Sequence, residues 1–316
     1  PLAPLAPTIP SVAPSLPPQA WLGRLLKGMW LIEAPFGAGG MGTVFRGRDV
    51  QSGHPIAIKI VSPEIRLDED AFRRFHREAH ALATLRHPAI VALRDYDRTE
   101  EGVLYLVMDL LAGETLETHL QRTGKLPLRD ALSIAAQIGG ALSAAHGAGL
   151  LHRDVKPSNI FVSGGPGAPR ATLIDFGLVK SILPGGQSRV TTRGQVVGTP
   201  LYMSPEQARG DAVDARSDLY SLAVVTYEMV TGVPPFFDPS VAVVYAKLLS
   251  GQVPSIKNPG ASGPRPIGSA PGVEDRLDTV LQRALSPLAN DRHPTVDAFA
   301  SELAWLGSDE AERATA

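Results

Sequence analysis

The run His152-Arg153-Asp154-Val155-Lys156-Pro157-Ser158-Asn159 gathers a carboxylate, an ammonium and an amide within eight residues. A second carboxylate follows in Asp175-Phe176-Gly177, 16 residues after Asn159. Carboxylate and amide oxygens suit hard cations, and Mg2+ takes one or two carboxylates together with nucleotide phosphates. Asn159 and Asp175 match that task. Asp154 is then left to face a hydroxyl, and Lys156 to neutralise a phosphoryl group in transit. Each residue alone is an ordinary cap or turn residue; the order and gaps of all of them point to chemistry.

A second constellation lies upstream. Phe36-Gly37-Ala38-Gly39-Gly40-Met41-Gly42-Thr43-Val44 contains G-x-G-x-x-G. A P-loop needs Lys after the last glycine, where Thr43 stands. A dinucleotide fingerprint needs a helix opening there, but Thr43-Val44-Phe45-Arg46 reads as a strand. What remains is a glycine flap between antiparallel strands whose N–H groups close over phosphates, or a plain flexible hairpin. Lys59 follows inside an apolar strand, 15 residues after Val44. A buried lysine needs a partner, and Glu78, at the edge of a helical stripe, is the expected one.

The elements that must position these groups change character once along the chain. Between Trp30 and Leu111 the signals are strands, over 42–46, 55–60 and 103–108, bounded by Gly, Pro or Asp. One helix interrupts them, with Asp68, Glu69 and Asp70 at its start and Phe72, Phe75, Ala79 and Leu82 at helical spacing. From Leu116 helices dominate. Leu132, Ala135, Ile138, Leu142 and Ala145 form one stripe, and 217–230 is apolar nearly all round, as a buried central helix would be. Two amphipathic helices follow near 274–285 and 295–306. Seven of the 28 prolines fall in the first 20 residues, which carry no charge and read as an extended linker. Pro1 in place of Met reads as a piece of a longer chain.

Composition narrows the class. The 316 residues exceed one small module, 44% are hydrophobic and 20% charged, so a large core is expected and wholesale disorder is excluded. A formal charge of −2 argues against nucleic acid as the main partner. The absence of cysteine removes disulfides, thiolate zinc sites and a Cys nucleophile together. No apolar run approaches the roughly 20 residues that span a bilayer.

With these motifs in place, the sequence resembles the eukaryotic-like serine/threonine protein kinases of bacterial receptor type, over about 22–306. The likeness rests on the glycine loop, Ala57-Ile58-Lys59, Glu78, the His152–Asn159 run, Asp175-Phe176-Gly177, Asp218 and Arg292. Gly39-Gly40-Met41-Gly42 and Ser204-Pro205-Glu206-Gln207-Ala208-Arg209-Gly210 carry its bacterial flavour. It implies an α+β, bilobal fold: a linker over 1–21, a small antiparallel-sheet lobe with one main helix over 22–111, a larger helical lobe over 112–306 and a flexible tail over 307–316. It implies ATP and Mg2+, with Mn2+ as the alternative ion, bound at Asn159 and Asp175. Lys59 would hold the α- and β-phosphates and pair with Glu78, Asp154 would accept the hydroxyl proton, and Lys156 would contact the γ-phosphate. The loop Phe36, Gly37, Ala38, Gly39, Gly40, Met41 and Gly42 would cover the nucleotide. Adenine would lie among Val44, Ala57 and Phe161, beside Met108, Asp109 and Leu111. Phe36 departs from the family's aliphatic residue, and Pro35 is unusual in a strand.

By the same likeness, the Lys-Pro pair at 156–157 and Thr199 imply serine or threonine as the acceptor, and Ser204-Pro205-Glu206 with the threonine-bearing loop before it implies a protein substrate. Thr191 and Thr192 are the expected autophosphorylation sites, with Arg153 as the cation that would receive the phosphate. Glu206 is expected to pair with Arg216 as a structural bridge, with Asp218 and Arg292 as further structural residues. A homodimer acting in trans and a cytoplasmic location, in a larger membrane-attached protein or alone, follow from the same likeness. A pseudokinase scaffold and a small-molecule phosphotransferase are the alternatives. His76 and His80, four apart on one helix, would invite zinc, but Arg77 stands where a metalloprotease motif needs Glu, and both are surface residues. Arg73, Arg74 and Arg77 read as a solvated face.

Overall fold

Alternation in the strands assigns side chains to two faces of one sheet. The computed structural model describes residues 17–39, 42–62, 69–178, 200–258 and 272–315. Two units divide it: Pro1–Arg66 with Asp95–Leu110, and Leu67–Arg94 with Leu111–Ala316. The first unit is built on a six-stranded sheet. Its strands are β1 (Leu25–Leu26), β2 (Trp30–Gly39), β3 (Gly42–Asp49), β4 (Pro55–Val61), β5 (Leu93–Arg98) and β6 (Leu104–Asp109), in the order β1-β2-β3-β4-β6-β5.

Phe45 opposes Ile58, which in turn opposes Val107, so that Ile56, Ile60 and Tyr105 share their face. Together with Trp21, Leu26 and Ile32 these residues form the buried core of the unit. Val44, Ala57, Lys59 and Met108 occupy the other face, Val44 opposite Lys59 and Ala57 opposite Met108. These four, expected around a nucleotide, are thus separated from the core face by parity alone.

Three features of this unit differ from, or sharpen, the sequence expectation. Pro18–Trp21 forms a 3-10 turn rather than the end of a linker, because the Trp21 indole, 3% exposed, fills the core. Pro35 lies between two register shifts of β2, past the last residue that pairs with β1. Bulges and unpaired edges are where a strand accommodates proline. Gly42 has φ +145°, and a Cβ there would run into the Ile60 carbonyl oxygen, so β3 can approach β4 only with glycine.

The second unit holds α1 (Glu69–Thr84), a small antiparallel sheet of β7 (Glu114–Thr115), β8 (Ile160–Ser163) and β9 (Arg170–Leu173), and further helices among the described residues. These are α2 (Leu116–Thr123), α3 (Leu128–Gly147), α4 (Pro205–Arg209), α5 (Ala215–Thr231), α6 (Val241–Ser250), α7 (Val273–Ala284) and α8 (Val296–Thr315). The sequence groups α1 with the strands, but the segment after it is tied to β9. Val91 N–H donates to Leu173 O at 3.0 Å, and Leu173 N–H to Ala89 O at 2.8 Å. Helix α5 is buried nearly all round, as its unbroken apolar run requires, starting at the Asp214 cap and stopping at Gly232. Helices α3 and α8 meet where Gly139 leaves room for Ala300. Helix α8 continues to Thr315 where a tail from 307 was expected: Leu306 is buried and Gly307 lies against Leu132. Among the described residues no helix is long and apolar enough to cross a membrane.

Candidate active site

Helix α3 ends at Gly147, and Leu150 N–H returns to Ala145 O, so the chain leaves the helix directly into His152. His152 is wholly buried, its ring 4.8 Å from that of Phe176. Its Nε2 faces Ile174 O at 3.2 Å, an acceptor, while its Nδ1 accepts from Asp154 N–H at 3.3 Å. One nitrogen donates and the other accepts, which defines the neutral Nε2–H tautomer. Burial lowers its pKa and agrees with that state.

The next two main-chain N–H groups share one carboxylate. Asp218 accepts from His152 N–H at 2.8 Å and from Arg153 N–H at 2.7 Å, and His146 Nε2 lies 2.8 Å from the same group. Arg153 adopts φ +61° and Asp175 φ +58°, the left-handed region that costs a non-glycine residue about 1–3 kcal/mol. Such strain persists only where neighbours hold it. Asp218 is one of the neighbours holding Arg153.

Asp154 is gripped by the residues that follow it. Lys156 Nζ is 3.1 Å from Asp154 Oδ2, and Asn159 Nδ2 donates to Asp154 O at 2.8 Å and to Oδ2 at 3.2 Å. A 3-10 turn over Pro157–Asn159, started by the proline, makes these contacts possible. With its nitrogen engaged by Asp154, Asn159 is left with its amide oxygen for a cation. Strand β8 then pairs with β9 from Ile160 opposite Leu173, and Ile174 N–H donates to Asn159 O at 2.9 Å. This pairing brings Asn159 and Asp175 to the same end of one hairpin. Two hard oxygen donors there fit a divalent cation that keeps its other positions for water or phosphate.

In the first unit, Lys59 is buried on β4 beside Val44 and Ala57, and Met108 and Asp109 end β6. Phe36 is exposed, while Gly40 and Met41 lie outside the described residues. Glu78 on α1, Leu111 and Phe161 of β8 belong to the second unit and are half-buried. Thr191, Thr192 and Thr199 lie outside the described residues.

The expected Glu206–Arg216 pair is not formed. Glu206 instead takes Arg292 in a bidentate pair, both N–O distances 2.8 Å, with a further bond from Ser217 Oγ. Burial works to raise the Glu206 pKa, yet Arg292 and Ser217 outweigh it and hold the carboxyl below its usual range. Arg292 also lies over the Tyr220 ring, 4.8 Å from its centroid. Arg216, at the start of α5, turns to the helix cap Asp214 at 2.6 Å and to Asn290 at 2.7 Å. Sequence reasoning missed His146, Gln207, Tyr202 and Glu228. Tyr202 Oη donates to Glu228 at 2.7 Å, and Gln207 Nε2 donates to the Arg153 carbonyl at 3.2 Å. His146, in the last turn of the helix that leads into the loop, was the one with a local signal.

The same combination of sheet, helices and charged loop is found in known proteins. The model of the protein kinase domain matches residues 30–299. The chain therefore belongs to the protein kinase family, and its relatives are bacterial serine/threonine kinases. It is 36% identical over 287 residues to the serine/threonine-protein kinase pkn3 of Myxococcus xanthus, covering 90% of this chain and 51% of that protein. It is 37% identical over 284 residues to PknA of Mycobacterium tuberculosis, covering 89% and 62%. The crystal structure of the PknI kinase domain of M. tuberculosis superposes with a TM-score of 0.64 at 28% identity, covering 90% of this chain and 98% of that one. The chain spans about half the length of the curated relatives it matches.

Proposed function

We propose that this chain transfers the γ-phosphoryl group of ATP to serine and threonine hydroxyls of proteins. The observation that carries this is the grip on Asp154 by Lys156 and Asn159, with Asn159 and Asp175 at one hairpin end. Asp154 orients the attacking hydroxyl and accepts its proton, while Lys156 neutralises charge on the group in transfer. Asn159 and Asp175 hold the cation, Mg2+ in preference to Mn2+. A bound Mg2+ supplies charge neutralisation across the phosphates. Lys59 is assigned the α- and β-phosphates, and Val44, Ala57 and Met108, on one sheet face, the adenine side. The fixed loop makes catalysis a matter of positioning and electrostatics, as a loose phosphoryl transition state allows.

Regulation belongs to the same proposal. Arg153 Nε is buried and has no hydrogen-bond partner among the described residues. A phosphate on Thr191 or Thr192 supplies such a partner. A homodimer would let one copy modify the other.

Labelled ATP with a generic protein acceptor tests the activity. Wild type is expected to label serine and threonine, and Lys59→Met to lose nearly all transfer. Nucleotide binding with no transfer would make the chain a scaffold, and label on small molecules alone would make it a different phosphotransferase.

A further inference from the structure

We infer that Gln207 is a positioning residue for the catalytic loop, holding the Arg153–Asp154 peptide while Asp218 holds the peptide before it. The inference rests on the role proposed for Asp154. Arg153 is the strained residue of the loop, at φ +61°, and its two main-chain groups are held separately. Its N–H goes to Asp218 at 2.7 Å, and its carbonyl, bonded directly to the nitrogen of Asp154, accepts from Gln207 Nε2 at 3.2 Å. A left-handed residue released on one side relaxes by rotating that peptide, and Asp154 would move with it.

Gln207 is itself fixed. It is the third residue of α4, and its Oε1 accepts from Ser204 N–H at 2.9 Å and from Ser204 Oγ at 3.3 Å. Its own N–H donates back to Ser204 Oγ at 3.3 Å, completing a capping box around a fully buried serine. These bonds settle which end of the amide is oxygen, so the nitrogen faces Arg153. A single side chain therefore caps α4 and clamps the loop. Glu206, the preceding residue, anchors the same short helix to Arg292. The amide is the point. A carboxylate at 207 can cap the helix equally well, but it presents an oxygen to the Arg153 carbonyl where a donor is needed.

Gln207→Glu separates the two tasks, because it keeps the capping box and removes only the clamp. Gln207→Met, which has neither donor nor charge, is measured beside it. Steady-state kinetics with Mg-ATP and a protein acceptor, together with urea unfolding, give the readout. Both variants are expected to lose about ten- to a hundredfold in kcat, the range that follows from slight misplacement of a catalytic group. KM for ATP should stay unchanged, and the unfolding midpoint of Gln207→Glu should match wild type. A wild-type kcat in Gln207→Glu would overturn the inference. So would a loss that merely tracks the folded fraction. Asp154→Asn run in parallel tells the two levels apart. If it transfers at the wild-type rate, the role of Asp154 fails; if it is dead while Gln207→Glu is normal, only the clamp fails.

Discussion

Asp218 Oδ1 accepts the main-chain N–H of Arg153 at 2.7 Å, while its other oxygen takes the N–H of His152. One carboxylate from the buried start of α5 thus fixes two successive peptides of the loop that presents Asp154. Asp218→Ala strands both donors in a buried setting, at about 1–3 kcal/mol each. A loss of about 2–6 kcal/mol in urea unfolding is expected. Asp218→Asn keeps one acceptor and should fold, yet transfer slowly, as kcat measured on the folded protein will show.

The Glu206–Arg292 pair makes a sharper prediction about stability. Arg292→Ala leaves a buried carboxylate without its cation and should destabilise by about 3–5 kcal/mol. Arg292→Lys cannot restore the bidentate geometry or the stacking on Tyr220. Arg216→Ala breaks a mostly exposed pair with Asp214 and should change stability by no more than about 1 kcal/mol. Equal losses at 216 and 292 would contradict the pairing.

Glu228 carries the pH dependence. Burial, followed by the charge of Glu117, pushes its pKa up to about 7 against the opposing bond from Tyr202. The folded state therefore binds this proton more tightly than the unfolded chain does. Its contribution is fully present below the ordinary glutamate pKa and is lost as pH rises through about 7. Glu228→Gln should gain stability relative to wild type as pH rises from 4.5 to about 7, a window set by these two pKa values, and keep that gain above it. Thermal unfolding of both proteins at several pH values checks this; a difference independent of pH would contradict it.

After incubation with Mg-ATP, mass spectrometry should place phosphate on Thr191 or Thr192. Arg153→Ala should leave that phosphate in place but abolish any rise in activity that it brings. No loop phosphate in an active preparation would remove the regulatory part of the proposal.

Much of this was legible because the informative residues are contiguous. Asp154, Lys156 and Asn159 lie within one short run of chain, so the cluster showed in their spacing while their mutual contacts did not, and β3, β4 and β6 announce themselves by apolar runs between Gly and Pro boundaries. Helix α5 is legible because burial on all sides leaves it no polar face. Partners chosen over long separations were not. Arg216 is closer in sequence to Glu206 than Arg292 is, but the α5 cap claims it first, and only the folded chain carries Arg292 across 86 residues. Trp21 was hidden by the prolines before it, and Gln207 by standing inside the Ser204–Gly210 motif with no role of its own. The roles of Lys59 and Glu78 rest on the family likeness, and Lys59→Met tests the first of them.

The most direct measurement is transfer by Asp154→Asn with nucleotide binding followed in the same sample. Mg-ATP should bind as it does to wild type, while phosphate appearing on serine and threonine falls by about 10²–10⁴-fold, the contribution of a positioned general base. Undiminished transfer by this variant would contradict the account at its centre.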